Sequence, residues 1–337
     1  MNNKTRILLT GASGTVGYEV LKQLCAQHDK FEIIVFGTRS KRSLKNLGPY
    51  KDQIEIVYGD LSKSADVKRA CSNIDYVIHL AAIIPPLADE KPELAFNVNT
   101  KGTENLVRNL ELLSPNAFFL YSSSISVYGD RLKTPMINVG DPLIPSEGDE
   151  YAKTKIEAEE IVRKSKLEWS IFRLTAIMGN HEISKLMFHM PLETSMEIAT
   201  PGDTARACVL AAEHQSQISK RIFNLAGGKS CRTTYIEFLT RSFEIFGLGK
   251  PGFPDKTFAE KNFHCGFYED GDDLENILQF QRDSLEDYFK MEIKKVPSWK
   301  KCLTFIVNKP VKWYLLRISE PFEAFKTNDT KMIQRYF

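Results

Sequence analysis

Residues 6–24, RILLTGASGTVGYEVLKQL, pass from an apolar run through three glycines into a helical pattern. Gly11, Gly14 and Gly17 are spaced GxxGxxG. Glycine is needed where the backbone takes positive φ or approaches another group closely. A helix that opens directly after such a turn offers free N–H groups and the positive end of its dipole to a pyrophosphate. A tight strand-to-helix corner needs the same glycines, so the neighbouring pattern has to decide.

Outward from the turn, short apolar runs alternate with helical patterns through about residue 175. RILLT, EIIVFG, IEIVYGD, DYVIHLAA, NAFFLYSSS and WSIFRLTAIMG are the runs. They are β-branched or aromatic and apolar throughout, the composition of parallel strands covered on both faces. Such β–α alternation predicts a doubly wound, Rossmann-type parallel α/β sheet. The second run, EIIVFG, is read as leading into a basic loop. We expect the dinucleotide-binding domain over residues 1–178, with a later strand near 220–228 returning to the sheet. Residues 179–337 then form mainly a smaller substrate lobe and a basic, aromatic tail.

Composition narrows the class. Of 337 residues, 42% are hydrophobic and 26% charged, as in ordinary globular proteins. The net charge of +2 conceals an asymmetry. Residues 290–337 hold eleven Lys and Arg against four Asp and Glu, so the rest of the chain is acidic and unsuited to nucleic acid. Six scattered cysteines without CxxC spacing argue against a disulfide framework or a metal site and fit a reducing, cytoplasmic setting. No secretion signal opens the chain and no run of about 18 apolar residues spans a membrane.

The second strand bears on the ligand. Dinucleotide folds that prefer NAD place an acid about 20 residues beyond the glycines, on the ribose hydroxyls. Here that stretch reads VFGTRSKR, with Arg39, Lys41 and Arg42 and no acid. A guanidinium binds a 2′-phosphate bidentately, which points to Arg39 and to NADP(H) ahead of NAD(H). Asp60, closing IEIVYGD, suits the adenine edge.

Downstream, Tyr151 and Lys155 stand four apart at the start of a helical stretch and share a face. A phenol titrates near pH 10 and is a poor acid or base at neutrality. A neighbouring ammonium favours the phenolate, so Lys155 is expected to lower the Tyr151 pKa and make it a general acid/base for alcohol–carbonyl interconversion.

TGASGTVG (10–17), GDL (59–61), HLAA (79–82), NTKGT (99–103), SSSISVYG (122–129) and YAKTK (151–155) occur in that order. Together they resemble the extended short-chain dehydrogenase/reductase family, in its NAD-dependent epimerase and dehydratase branch. The resemblance implies a catalytic set of Ser124, Tyr151 and Lys155, with Ser123 as the alternative if the register is shifted by one. It implies dinucleotide contacts from Thr10, Gly11, Ser13, Gly14, Thr15, Val16, Gly17, Asp60, Leu61, Leu80, Ala81, Ala82, Asn99 and Ser122, besides Tyr151 and Lys155. A homodimer through the helix of Tyr151 is also implied.

Two departures matter. Dehydratases of the branch carry Asp–Glu directly after the catalytic hydroxyl, where this chain has Ile125 and Ser126, so dehydration is not expected. Arg173 is followed by Leu174 where many members have proline. The expectation is an NADPH-dependent reductase of a small carbonyl or secondary alcohol. The alternative is a nucleotide-sugar epimerase with tightly held NAD, whose substrate pyrophosphate would use Arg206, Arg232 or Arg241. A cofactor-sensing binding module is the other class, and it would not need Tyr151. The Met- and Phe-rich stretch 185–198 fits either a pocket lip or ordinary core. The tail combines Trp299, Trp313 and Tyr314 with lysines and is broken by Pro297, Pro310 and Pro321. Packing on the substrate lobe, lysines outward, is preferred over contact with an anionic membrane surface.

Overall fold

The computed structural model describes residues 4–179 and 184–337. Seven strands form one parallel sheet: β1 (Thr5–Thr10), β2 (Phe31–Gly37), β3 (Glu55–Tyr58), β4 (Tyr76–His79), β5 (Phe118–Ser124), β6 (Glu168–Leu174) and β7 (Arg221–Leu225). Their spatial order is β7-β6-β5-β4-β1-β2-β3. Strand order reverses between β1 and β4, the position where doubly wound sheets open a ligand crevice at their carboxyl ends. The apolar runs are strands because both faces are covered. Ile7 and Leu9 enter one core with Phe118, Leu120 and Phe223, while Leu8 joins another with Val77, Phe119 and Ile171.

Helix α1 (Thr15–Cys25) follows the glycine turn, α2 (Gly102–Leu113) follows β4, and α3 (Glu150–Lys164) carries Tyr151 and Lys155. Helix α4 (Pro201–Leu210) packs beside α1. The basic segment after β2 is not simply a loop. Ser40 accepts from the Ser43 N–H and caps a short helix over Lys41–Leu47. Phe96–Lys101, leading into α2, winds as a π-helix, a geometry that concentrates near functional sites.

A third apolar cluster gathers Phe188, Met196, Ile198, Tyr235, Phe238, Phe243, Phe258 and Phe289. It draws on helices α5 (Tyr235–Phe246) and α6 (Leu285–Lys295) and on strand Ser195–Ala199. Most of the Met- and Phe-rich stretch is therefore core. The tail forms α7 (Ser298–Ile306), α8 (Asn308–Arg317), α9 (Glu320–Thr327) and α10 (Thr330–Tyr336). The prolines sit just before α7 and within the first turns of α8 and α9, where a missing N–H costs nothing. Leu315, Ala324 and Tyr336 anchor α8, α9 and α10, but no residue of α7 is buried. In α7 the lysines are outward as expected, and Trp299, Leu303, Phe305 and Ile306 are exposed as well.

Candidate active site

The glycines of the first turn are fixed by close contacts. Gly11 has φ +76°, and a Cβ there would lie 2.7 Å from the Ala81 nitrogen. A Cβ on Gly17 would fall 2.1 Å from the Gly11 carbonyl oxygen. β1, α1 and the loop after β4 can meet this tightly only without side chains. No side chain caps α1. Its N-terminus borders a cleft of about 330 Å³, lined by Gly11, Ser13, Gly14, Asp60, Leu61, Leu80, Ala81 and Ala82. An uncapped helix end on an elongated cleft fits a dinucleotide pyrophosphate, with the adenosine toward β2 and β3.

Arg42 lines that cleft with Thr38, whereas Arg39 does not. Arg39 is exposed, its guanidinium 5.8 Å from the centre of the Tyr58 ring. The short helix after β2 is responsible. Its Asn46 donates to the Ser13 carbonyl at 3.1 Å, drawing the helix onto the glycine turn and bringing Arg42 with it. Asp60 uses Oδ1 to accept from the Ser62 N–H and hydroxyl at 2.9 and 2.8 Å. Thr15 lies on a neighbouring surface with Gly14 and Arg42, and Val16 packs into the core.

Thr10, Asn99 and Ser122 stand behind the cleft, in a buried polar chain. The Ala81 N–H donates to Thr10 Oγ1, which bonds His79 Nδ1 at 2.7 Å. His79 Nε2 bonds Thr103 Oγ1 at 3.0 Å, and the Thr103 hydroxyl donates to the Asn99 carbonyl at 2.6 Å. Because the Thr103 proton is spent on Asn99, His79 must carry its proton on Nε2 and accept from Thr10 at Nδ1. Burial and then the nearby Lys155 lower the His79 pKa to about 3, so the ring is neutral. The Asn99 amide exchanges bonds with Ile83 N–H and carbonyl at 2.7 and 2.9 Å and donates to Thr154 Oγ1 at 3.0 Å. Asn99 therefore ties the loop after β4 to α3. Residues 69 and 24 positions apart form this chain, and sequence spacing gives no sign of it.

Asp149 opens α3, accepting from the Ala152 N–H at 2.8 Å. At the second position of the helix, Tyr151 is hydrogen-bonded to Ser124 at the end of β5. Ser124 also accepts from the Ser126 N–H at 3.2 Å. Ser123, 2% exposed, has its hydroxyl unpartnered, whereas Ser124 is the serine that meets Tyr151. Ile125 is buried and Ser126 Oγ is enclosed, and neither residue after Ser124 is a carboxylate. Lys155 donates to the Ser122 carbonyl at 2.7 Å and lies 4.7 Å and 5.7 Å from the Tyr121 and Tyr151 ring centres.

The electrostatics differ from expectation. Burial pushes the Tyr151 phenol up; the Ser124 bond opposes this and Asp149 adds to it. Burial also lowers the Lys155 ammonium to about 7, with Glu159 partly restoring it. At neutral pH the site alone leaves tyrosine neutral and lysine near its midpoint, because desolvation dominates both groups. Below Lys155, Glu159 accepts from Arg173 Nε and Nη2 at 2.9 and 2.7 Å, and Arg173 donates to the Tyr128 hydroxyl at 2.8 Å. Arg173 is thus the ionic floor under α3.

A cavity of about 220 Å³ flanks the N-terminus of α3. Leu186, Phe263 and Tyr336 line it with Asp149, His264 and Arg335. His264 Nδ1 is 3.0 Å from Asp149 Oδ2. The Tyr336 hydroxyl bonds Glu320 and His189, so the C-terminal helix forms part of this wall. A larger cavity, about 1020 Å³, lies along residues 250–260 and includes none of the catalytic set. No group of metal ligands forms among the described residues.

A family model described as the NAD dependent epimerase/dehydratase family matches residues 7–226. A curated 3-beta-hydroxysteroid dehydrogenase of Mycolicibacterium neoaurum is 30% identical over 165 residues, 47% of this chain and 42% of that protein. The 3 beta-hydroxysteroid dehydrogenase type 7 of Mus musculus is 26% identical over 159 residues, 46% and 43% of the two chains. The chain thus spans under half the length of these curated relatives. Among solved structures, UDP-glucuronic acid 4-epimerase from Bacillus cereus in complex with NAD superposes with a TM-score of 0.68 at 18% identity, covering 87% of this chain and 98% of that one. The dTDP-glucose 4,6-dehydratase DesIV from Streptomyces venezuelae, with NAD and TYD bound, gives 0.71 at 20% identity, covering 86% and 96%. The shared fold, the glycine turn on its cleft and the match over residues 7–226 lead to one conclusion: the chain belongs to the NAD-dependent epimerase/dehydratase family.

Proposed function

We propose that this protein is an NADP(H)-dependent oxidoreductase that interconverts a secondary alcohol and a carbonyl on a largely apolar substrate. The contact between Ser124 and Tyr151, with Lys155 buried behind both, carries the reading. When bound, the dinucleotide supplies or accepts the hydride. In the reducing direction Tyr151 delivers the proton to the carbonyl oxygen, and in the oxidising direction it takes that proton back. Ser124 holds the same oxygen where charge develops. Lys155, when protonated, stabilises the phenolate that Tyr151 becomes.

The cofactor choice is supported by Arg42 on the cleft and by the lack of a carboxylate at the end of β2. The substrate class draws on the two hydroxysteroid dehydrogenases and on the apolar lining from Leu186 and Phe263. The three arginines considered for a nucleotide-sugar pyrophosphate are occupied elsewhere. Arg206 pairs with Asp203, Arg232 with Glu197 and Arg241 with Glu286.

The test is the affinity of NADPH and NADH for the wild type and for Arg42→Ala, read by quenching of protein fluorescence. Loss of one exposed guanidinium–phosphate contact should weaken NADPH about tenfold and leave NADH unchanged. Near-stoichiometric NAD released on denaturing the purified protein would refute the proposal and put a nucleotide-sugar epimerase in its place.

A further inference from the structure

Between residues 294 and 317 the chain carries six lysines and one arginine and not a single carboxylate. The same stretch exposes Trp299 at 69%, Phe305 at 65% and Ile306 at 78%, with Leu303, Trp313 and Tyr314 also exposed. Trp299, Cys302, Leu303 and Ile306 recur at i, i+3, i+4 and i+7 and so form one stripe along α7. In a helix covering a core this stripe would face inward.

Here it faces out. The backbone of Lys301, across the helix from Trp299, is the part seated on the protein: a Cβ on Gly247, which ends α5, would lie 2.4 Å from the Lys301 carbonyl oxygen. In α8, Leu315 is the buried anchor, Trp313 and Tyr314 are exposed, and Arg317 lies over the Trp313 ring at 4.0 Å. Lys312 donates to the Lys250 carbonyl, fixing α8 against the body without neutralising its charge. Lys300, Lys301 and Lys309 have no carboxylate partner among the described residues.

We propose that α7 and α8 form a docking surface for a lipid bilayer that carries anionic headgroups. An apolar stripe rich in tryptophan suits the boundary between headgroups and acyl chains, and lysines reach from its flanks to the phosphates. Each lysine near an anionic surface adds about fivefold to partitioning, so Lys300, Lys301 and Lys309 with no opposing acid are a large bias toward such a membrane. No described helix is long and apolar enough to cross a bilayer, so the contact proposed is one that lies on the surface.

The experiment is sedimentation of the full chain with vesicles of phosphatidylcholine containing phosphatidylserine, and with phosphatidylcholine alone, at low and high salt. The protein should pellet with the anionic vesicles, less with the neutral ones, and less at high salt. Tryptophan emission should shift to the blue on binding, because Trp299 and Trp313 are exposed while Trp169 is already buried. The triple variant Trp299→Ser, Leu303→Ser, Ile306→Ser should keep the wild-type melting temperature and lose partitioning at least about tenfold. Leu112→Ser, equally exposed on α2, should change nothing. Protein that stays in the supernatant with both vesicles overturns the proposal, as does a triple variant that pellets like the wild type. A dimer by light scattering that the triple variant converts to monomer, without vesicle binding, assigns the face to a second copy instead and also overturns it.

Discussion

Replacing Lys155 with methionine should change how stability depends on pH. The amine is 2% exposed and its pKa is lowered by burial to about 7, against 10.5 for an ordinary lysine. Between these values the unfolded chain holds a proton that the folded chain has released. Folding therefore releases protons, and wild-type stability from this group rises with pH. The folded-state cost is fully present below about pH 7 and disappears toward about pH 10.5. Each pKa unit is worth about 1.4 kcal/mol away from the midpoints, so the wild type should gain about 2 kcal/mol from about pH 7 to about pH 9 through Lys155. Lys155→Met lacks this gain, and other groups that titrate over the same interval cancel in the difference. The lost bond to the Ser122 carbonyl adds an offset that is largely independent of pH. The assay is chemical denaturation of both proteins across this range. Parallel stability curves would show that Lys155 is not desolvated as described.

Tyr151→Phe should lower the rate of alcohol–carbonyl interconversion by about 10²- to 10⁴-fold while dinucleotide affinity, measured by fluorescence, stays the same. Glu159→Gln leaves the buried Arg173 guanidinium without its counter-charge and should destabilise the fold by about 3–5 kcal/mol, visible in thermal unfolding. Gly17→Ala places a methyl group 2.1 Å from the Gly11 oxygen, backbone against backbone, so it should cost about 3 kcal/mol or more and abolish dinucleotide binding. A Gly17→Ala protein that melts and binds like the wild type would mean that the turn is looser than this geometry.

What could be read from the sequence was local. The central strands were legible because both-face burial gives them near-continuous apolar runs, and Tyr151 and Lys155 because four residues make about one helical turn. The sequence pointed to Arg39 where the structure lines the cleft with Arg42, since the choice depends on Ser40 starting a helix and on Asn46 pulling it to the turn. The basic, aromatic composition of the tail was legible but not the direction of the stripe on α7, because composition does not say which face meets the protein. His79 read as one more residue of an apolar strand; its partners Thr10 and Thr103 lie on other elements. Ser124 itself was placed by resemblance, and its orientation came only from the end of β5 meeting α3.

The neutral chain through Thr10, His79, Thr103, Asn99 and Thr154 ends on the Tyr151 carbonyl, which accepts from Thr154 at 2.7 Å. It runs from behind the glycine-turn cleft to the backbone of Tyr151, and so acts as a ruler between the two. A ruler made of ion pairs would stretch with salt and acidity; this one contains no charge that titrates above about pH 3. Its length should therefore hold across ordinary cellular conditions, leaving Lys155 free to respond to pH without altering the distance between Tyr151 and the cleft.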